Sequence, residues 1–121
     1  MSAIALVEGY LNERNDPLKA VKKSLDLCVR DRNGSFLNLD RKGAIAAAKL
    51  SQKRYSQGNP IGLWDGVPIG VKDNLSLSGL PWTNGMSAYQ DRIADFDASC
   101  LSDLKASGAV IIGKCHLHEA A

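Results

Sequence analysis

The chain has 121 residues, of which 45% are hydrophobic and 23% charged, and its formal net charge is +2. This is the size and composition of one small water-soluble domain. Basic and acidic residues are interspersed, which argues against the one-sided basic patch of a nucleic-acid-binding protein. No apolar stretch approaches the ~20 residues that a membrane-spanning helix needs. We therefore expect neither a nucleic acid nor a membrane as a partner.

The cysteine pattern and the N-terminal residues indicate in which cellular compartment the protein is expected. Cys28, Cys100 and Cys115 are an odd number of cysteines at scattered positions. This pattern does not suggest a disulfide framework and favours a reducing environment. Glu8 and Glu13 interrupt the first apolar residues, which therefore lack the apolar core of a signal peptide. We expect a cytoplasmic protein.

Helical spacing dominates the first half of the chain. It predicts helices over about residues 1–12, 17–34 and 44–55, and a short strand at 36–39. Asp16 and Pro17 are typical of a helix N-cap and of the first helical position. Asp40 is the expected cap of the third helix, which Gly58 ends.

The second half has the pattern of an α/β unit. It predicts a strand at 67–72, a long glycine-containing loop to about 96, a helix ending at 108 and a strand at 109–113. Asp97 or Ser99 is the expected helix cap, and Cys100 is expected to pack in that helix as a small hydrophobic side chain. The continuous apolar run at 109–113 indicates a strand buried on both faces, parallel to the first.

The strand that ends at Lys72 has the most informative pattern. A two-residue period places Val67, Ile69 and Val71 on one face, and Pro68, Gly70 and Lys72 on the other. The face of the lysine therefore receives almost no side-chain bulk from its own strand. The carboxyl end of a parallel strand is where α/β folds bind ligands. Pro68 limits where this strand can lie, because proline is confined to edge strands or strand beginnings. On spacing alone, a surface lysine at a strand end explains Lys72 better than a site residue does.

Ordered segments along the chain resemble the amidase signature family. Residues 63–74 read LWDGVPIGVKDN, which is similar to the G-(V/I)-P-x-x-(V/I)-K-D segment of that family. Residues 79–86 read GLPWTNGM and resemble its G-x-x-T-T-x-G loop.

The resemblance continues on both sides of these two segments. Asp97-Ala98 and the run LKASGAVIIGK at 104–114 are similar to D-A-x-x-V-x-x-L-(K/R)-x-A-G-A-(V/I)-(I/L)-(I/L)-G-K. LHE at 117–119 matches (L/M)-H-E, and FLNLD at 36–40 is similar to N-A-F-x-x-L-D. The resemblance covers nearly the whole chain.

The resemblance implies a mechanism. Members of the family hydrolyse amides with a serine, a second serine in a cis peptide linkage and a lysine, through an acyl-enzyme. Lys72 matches the lysine, which must be neutral to accept the proton relayed from the nucleophile. Burial favours a neutral lysine, so a desolvated strand end suits this role. The family requires no cofactor and no metal, and its substrate is a small-molecule amide.

The chain also departs from the family pattern. No stretch of the G-G-S-S-G type occurs in it, and its serines at 76, 78, 87 and 107 are better explained as loop and turn residues. Trp82 stands where the first threonine of the loop is commoner, so the substrate-binding residues stay unassigned. His116, His118 and Glu119 are not spaced as a helical metal site. Lys114 is expected to be a structural strand residue.

The implied fold class is α/β of the amidase-signature type, with N-terminal helices followed by the first strands and crossover helix of a mixed central sheet. We expect residues 1–121 to be the N-terminal part of a single amidase domain, with a helical layer over about 1–58 and the start of the α/β core over about 60–121. Residues 116–121 resemble the start of a helix, so the native polypeptide is expected to continue, and the strand at 109–113 to lack neighbours here.

The predicted function is hydrolysis of a carboxamide C–N bond by the full-length protein, with Lys72 as general base and the 121-residue chain inactive alone. One alternative is the amidase subunit of a tRNA-dependent amidotransferase, although members of that group usually carry M-D-E-F where this chain has LHEA at 117–120. Another alternative is a non-catalytic binding module derived from the family. A homo-oligomer of the full-length form stays open.

Overall fold

The computed structural model describes residues 2–121, which contain four α-helices, one short 3-10 helix and three strands. The elements are α1 (Ala3–Leu11), α2 (Pro17–Val29), β1 (Phe36–Leu39), α3 (Arg41–Ser56), β2 (Pro68–Lys72), the 3-10 helix Ser87–Tyr89, α4 (Ser99–Ala106) and β3 (Val110–Cys115). The class and order of the elements confirm the α/β prediction. The 3-10 helix lies inside the predicted long loop.

Two helices begin at the caps that the sequence predicts. Asp16 Oδ1 accepts the Lys19 N–H at 2.8 Å, and Pro17 is the first residue of α2. Asp40 Oδ1 accepts the Gly43 N–H at 2.9 Å at the start of α3. Each carboxylate satisfies one of the amides that a helix N-terminus leaves unpaired.

The C-terminal end of α2 differs from the prediction. The helix stops at Val29 instead of continuing to about residue 34. The reason is Asp31, whose carboxylate accepts the N–H groups of Asn33 and Ser35 at 3.1 and 2.8 Å. Such local side-chain bonds offer the backbone an alternative to the helix.

The cap of α4 also differs from the prediction. Ala98 occupies the N-cap position and makes no side-chain cap, so neither Asp97 nor Ser99 has the predicted role. Asp97 instead accepts the Ser78 N–H at 2.8 Å and the Lys105 ammonium at 2.6 Å. Asp97 therefore links the loop before α4 to the helix itself.

The three strands form a mixed sheet in the order β1-β3-β2. The β3 strand is antiparallel to β1 and parallel to β2, which confirms the predicted parallel pair. Pro68 is the first residue of β2, and β2 is an edge strand of this three-stranded sheet; both positions tolerate a proline. The expectation that the strand at 109–113 lacks neighbours is wrong, because β3 lies between the other two.

Each face of β3 packs against a different cluster. The cluster on the α2 and α3 side contains Val21, Leu25, Ala44, Ala48, Val110 and Ile112. The cluster on the α4 side contains Val71, Leu77 and Leu101, with Ala98, Leu104 and Ile111 packed against it. The prediction of a strand buried on both faces is confirmed.

Residues 116–121 form loop and turn, so the predicted helix start is wrong. Two of their backbone amides bond to other parts of the fold instead of to a helix. The His116 N–H donates to Ser35 O and the Ala120 N–H to Asn84 O, each at 2.9 Å. None of the helices in residues 2–121 is long and apolar enough to cross a membrane.

Candidate active site

The candidate site lies at the carboxyl ends of the parallel strands β2 and β3. Lys72 is the last residue of β2, and its register partner is Cys115, the last residue of β3. The Asp73 N–H donates to Cys115 O at 3.1 Å, so the pairing continues one residue past β2. Lys72 therefore lies where an α/β sheet places ligands.

Lys72 is held by a single hydrogen bond. Its Nζ donates to His116 O at 2.6 Å, and the side chain is exposed. The expectation of a desolvated lysine is thus wrong for residues 2–121. Because water stabilises the charged amine, the described residues do not supply the burial that a neutral base needs.

The strand face next to Lys72 is occupied by its neighbours. A Cβ atom on Gly70 would lie 2.8 Å from Cys115 Sγ and 3.2 Å from two ring atoms of Phe36. Gly70 adds no side chain to the strand face that carries Lys72, as predicted. However, β1 and β3 fill the space, and Gly70 is the residue that lets them approach.

The three thiols are free and differ in exposure. Cys28 and Cys115 are half-buried, whereas Cys100 is exposed, so the expectation that Cys100 packs inside its helix is wrong. Burial raises the pKa of Cys115, although the positive charge of Lys72 acts in the opposite direction. Burial, and then Cys115 and Asp31, raise the pKa of Cys28.

Asp73, the residue that follows Lys72, is part of a fully buried ion pair with Lys114. The Lys114 side chain is 0% exposed and that of Asp73 is 1% exposed, and Lys114 Nζ is 3.1 Å from Asp73 Oδ1. Lys114 Nζ also donates to Leu75 O at 2.6 Å and to Pro81 O at 3.0 Å. One ammonium thus joins β3 to two points of the loop that follows Lys72.

Asp73 completes this cluster through Thr83. Its Oδ2 accepts the Thr83 N–H at 2.8 Å and also the Thr83 hydroxyl. Burial on its own raises the pKa of Asp73, but the Thr83 hydrogen bonds and Lys114 outweigh it and hold the pKa below its usual value. Asp73 is therefore a carboxylate at neutral pH.

The loop from 79 to 94 folds back on itself as an irregular hairpin. The Gly79 N–H donates to Ala94 O at 2.8 Å, and the Trp82 N–H to Arg92 O at 3.0 Å. The Arg92 guanidinium carbon lies 4.1 Å from the ring centroid of Trp82 and 4.3 Å from that of Tyr89. Trp82, which departs from the family pattern, is thus part of a cation–π stack.

Trp82 also connects this stack to the end of β2. Its indole Nε1 donates to Asn74 O at 3.3 Å.

Within residues 2–121, no three His, Cys, Asp or Glu side chains are grouped so that they could hold a metal ion.

The opposite end of β2 is held by a second buried carboxylate. Asp65 is 0% exposed and forms a two-point pair with Arg54, at 2.8 Å from Nε and 2.6 Å from Nη2. The Ile61 N–H donates to Asp65 Oδ2 at 3.0 Å. Nothing in the spacing of Arg54 and Asp65 pointed to this pair, because a tertiary contact between α3 and the loop brings them together.

The family can be determined by comparison with known proteins. The Amidase family model matches residues 20–121 of the chain. The chain belongs to the amidase family. Indoleacetamide hydrolase of Bradyrhizobium diazoefficiens is 36% identical over 113 residues, which cover 93% of this chain and 19% of that protein. A glutamyl-tRNA(Gln) amidotransferase subunit from Clostridium novyi is 36% identical over 93 residues, 76% of this chain and 19% of the relative.

Solved amidase structures have the same fold over this length. A bacterial aryl acylamidase of the amidase signature family superposes with a TM-score of 0.88 at 23% identity, covering 99% of this chain and 26% of the other. A peptide amidase bound to chymostatin gives 0.88 at 22% identity, covering 97% and 25%. The chain therefore spans about a fifth of its curated relatives and about a quarter of these structures.

Proposed function

We propose that the full-length protein is an amidohydrolase that cleaves a carboxamide C–N bond, with Lys72 as the general base. The observation that carries the proposal is the position of Lys72 at the carboxyl end of a parallel strand, within the segment that resembles the amidase signature. We further propose that residues 1–121 are the N-terminal part of one amidase domain in a cytoplasmic enzyme, with a helical layer followed by the start of the α/β core.

The proposed reaction begins at a serine that is not among these 121 residues. A neutral Lys72 amine accepts the serine proton through a second, bridging serine, while the serine oxygen attacks the amide carbonyl. The amine component leaves with a proton, and water then hydrolyses the acyl-enzyme. Lys72 is exposed within residues 2–121, so the proposal requires another part of the protein to cover it.

The 121-residue chain is proposed to be inactive alone, because no G-G-S-S-G-type stretch supplies the nucleophile and oxyanion loop. Purified 121-residue chain should release no ammonia or amine from any carboxamide above the buffer rate. Turnover that reproducibly exceeds buffer and is lost in Lys72→Ala would contradict this.

The base assignment is tested by substitution in the full-length polypeptide that carries this chain. Lys72→Ala should lower the acylation rate by ~10²–10⁴-fold, which is the usual contribution of a positioned base. Lys72→Arg should be no better, because a guanidinium keeps its proton at any workable pH. Acylation is measured by single-turnover kinetics across pH with indole-3-acetamide, an anilide and a peptide amide.

Lys22→Ala is the matched control, since Lys22 is an exposed lysine on α2. Its rates should equal those of the wild type. If Lys72→Arg kept near wild-type rates, Lys72 would be a charge partner and the proposed mechanism would fail.

A second candidate function is the amidase subunit of a tRNA-dependent amidotransferase. It is favoured by relatives that are named as subunits of glutamyl-tRNA(Gln) amidotransferase, such as that of Clostridium novyi. The two functions differ in their need for partners. Hydrolysis of simple carboxamides by the full-length protein alone supports the hydrolase. Activity that appears only with the other amidotransferase subunits and charged tRNA supports the amidotransferase.

A further inference from the structure

The Lys114–Asp73 pair has no part in the proposed chemistry, yet it is the most completely buried ion pair in residues 2–121. Three polar contacts surround the Lys114 ammonium: the Asp73 carboxylate and the carbonyls of Leu75 and Pro81. Asp73 in turn accepts two hydrogen bonds from Thr83. The pair is therefore a connected polar network with defined geometry.

Each member of the pair lies within two residues, along its own strand end, of a group in the Lys72–His116 hydrogen bond. Asp73 directly follows Lys72 at the end of β2. Lys114 lies two residues before His116, whose carbonyl accepts the hydrogen bond from Lys72 Nζ at 2.6 Å. The ion pair thus joins the two strand ends at the point where the amine is held.

Stability alone is a weak explanation for such a pair. Removing two charges from water is costly, and apolar replacements of similar volume often stabilise a protein equally well. An ion pair with several hydrogen bonds does, however, fix one arrangement of the chain segments that it connects. A single hydrogen bond of an exposed lysine has no comparable capacity to fix its position.

We propose that Lys114 and Asp73 are positioning residues that hold the end of β2 in register with the end of β3, and so fix the Lys72 amine at the proposed site. The inference rests on the proposed function of Lys72. It assigns a role in turnover to two residues that do not contact the substrate. They act by fixing the position of the Lys72 amine.

The alternative is that the two charges act on Lys72 through space. Cys115, the last residue of β3 and the register partner of Lys72, is a further titratable neighbour, whereas His116 contacts the amine through its backbone carbonyl. Removing a negative charge at Asp73 and removing a positive charge at Lys114 act in opposite directions on the pH midpoint of the acylation rate. A through-space effect therefore moves the pH profile in opposite directions in the two variants. If the pair instead positions the Lys72 amine, both variants lower the plateau of the acylation rate.

The experiment uses full-length protein with Lys114→Met or Asp73→Asn. Acylation is measured by single-turnover kinetics across pH, with KM and the thermal midpoint for each variant. Both variants should lose about 10²-fold in the plateau rate, the cost of misplacing a reacting group by about 1 Å. KM should change less than about twofold, and the pH midpoint should stay within a few tenths of a unit.

Asp65→Asn is the matched control, because Asp65 is an equally buried carboxylate at the other end of β2. It should lower the thermal midpoint but leave the acylation rate at 25 °C unchanged. Asp73→Asn keeps an oxygen for the Thr83 N–H, so it decides the question if Lys114→Met gives no soluble protein.

Two results would overturn the inference. Wild-type plateau rates in folded Asp73→Asn would make the pair purely structural, and opposite shifts of the pH midpoint would make it electrostatic. Lys72→Arg separates this failure from failure of the proposed function. If Lys72→Arg is inactive while Asp73→Asn is normal, only the positioning role fails. If Lys72→Arg is active, the base assignment fails.

Discussion

Gly108 lies in a tight place between α4 and β3. Its φ is +90°, in the left-handed region, and a Cβ there would lie 2.7 Å from Asp65 Oδ1 and 2.8 Å from Asp65 Cα. Asp65 has little room to move, because Arg54 and the Ile61 N–H hold its carboxylate. Both the backbone conformation and the space therefore require glycine.

Gly108→Ala should consequently lower stability more than the conformational cost alone. Gly34 provides the comparison, since its φ is +64° and no atom lies within 4 Å of its Cβ position. Gly34→Ala should cost about 1–2 kcal/mol, the usual penalty of a left-handed alanine. Gly108→Ala should cost clearly more. Thermal midpoints of the two variants in the full-length protein check this, and equal midpoints would contradict the crowding at Gly108.

At the scale of a single residue, the sequence could place Lys72 but could not describe its surroundings. The strand period and the family-like segment were enough to locate it at the end of β2. Its bond to His116 and its exposure depend on contacts between distant segments. Lys114 was expected to be a structural strand residue, but its buried pairing with Asp73 was not foreseen. A charged residue at the end of a continuous apolar run was the one available signal.

Between elements, the Arg54–Asp65 pair connects α3 to the segment before β2. The Tyr55 hydroxyl donates to Asp65 O, and the Tyr10 hydroxyl to Gly66 O, each at 3.1 Å. Burial alone raises the pKa of Asp65, but Arg54, Ser51 and the Ile61 N–H outweigh it, so the pKa is lowered. The helical layer and the sheet are joined at this point by a carboxylate.

This lowered pKa predicts how stability depends on acid. A carboxylate whose folded pKa lies below its unfolded value of about 3.9 stabilises the fold above that value. The contribution is lost as the pH falls through the folded pKa. The thermal midpoint of the wild type should therefore fall between about pH 4 and pH 2 more steeply than that of Asp65→Asn.

Asp26→Asn is the control for this pH series. The Arg41–Asp26 pair is more than half exposed on both sides, so its contribution to stability should be small. The Asp26→Asn curve should follow the wild type. If the curve of thermal midpoint against pH for Asp65→Asn also followed that of the wild type, the Arg54–Asp65 pair would contribute nothing to acid stability.

Helix starts were predictable where the cap comes from within the first turn, but local chemistry did not fix every boundary. Asp16 and Asp40 cap their helices as the sequence indicates, because a cap needs only residues within one turn. The end of α2 was missed because Asp31 turns the chain with its own carboxylate. The cap of α4 was missed because Asp97 bonds to Ser78, a residue that is distant in sequence.

For the whole molecule, the exposed apolar side chains are the main feature. Leu63 is 86% exposed and Ile4 is 72% exposed, and Ala3, Val7 and Trp64 lie around the same groove. Ile93 and Phe96 are exposed on the loop before α4. Patches of this kind promote association in water.

The 121-residue chain in isolation should therefore associate. Sedimentation velocity should show species larger than a monomer that increase with protein concentration, and thermal unfolding should be broad. Leu63→Lys should shift the distribution towards the monomer, whereas Leu11→Lys, an exposed apolar position outside the groove, should do so less. A clean monomer with a sharp, cooperative transition would contradict the expectation.

The unequal exposure of the three thiols has a practical consequence. Cys100 is exposed whereas Cys115 is half-buried, with its Sγ packed against Gly70, so a thiol reagent should label Cys100 faster than Cys115. The labelling rate of Cys115 relative to Cys100 therefore reports how closely the strands pack around Gly70, two residues from Lys72. The native cysteines can therefore report the packing at the candidate site, and no added label position is needed.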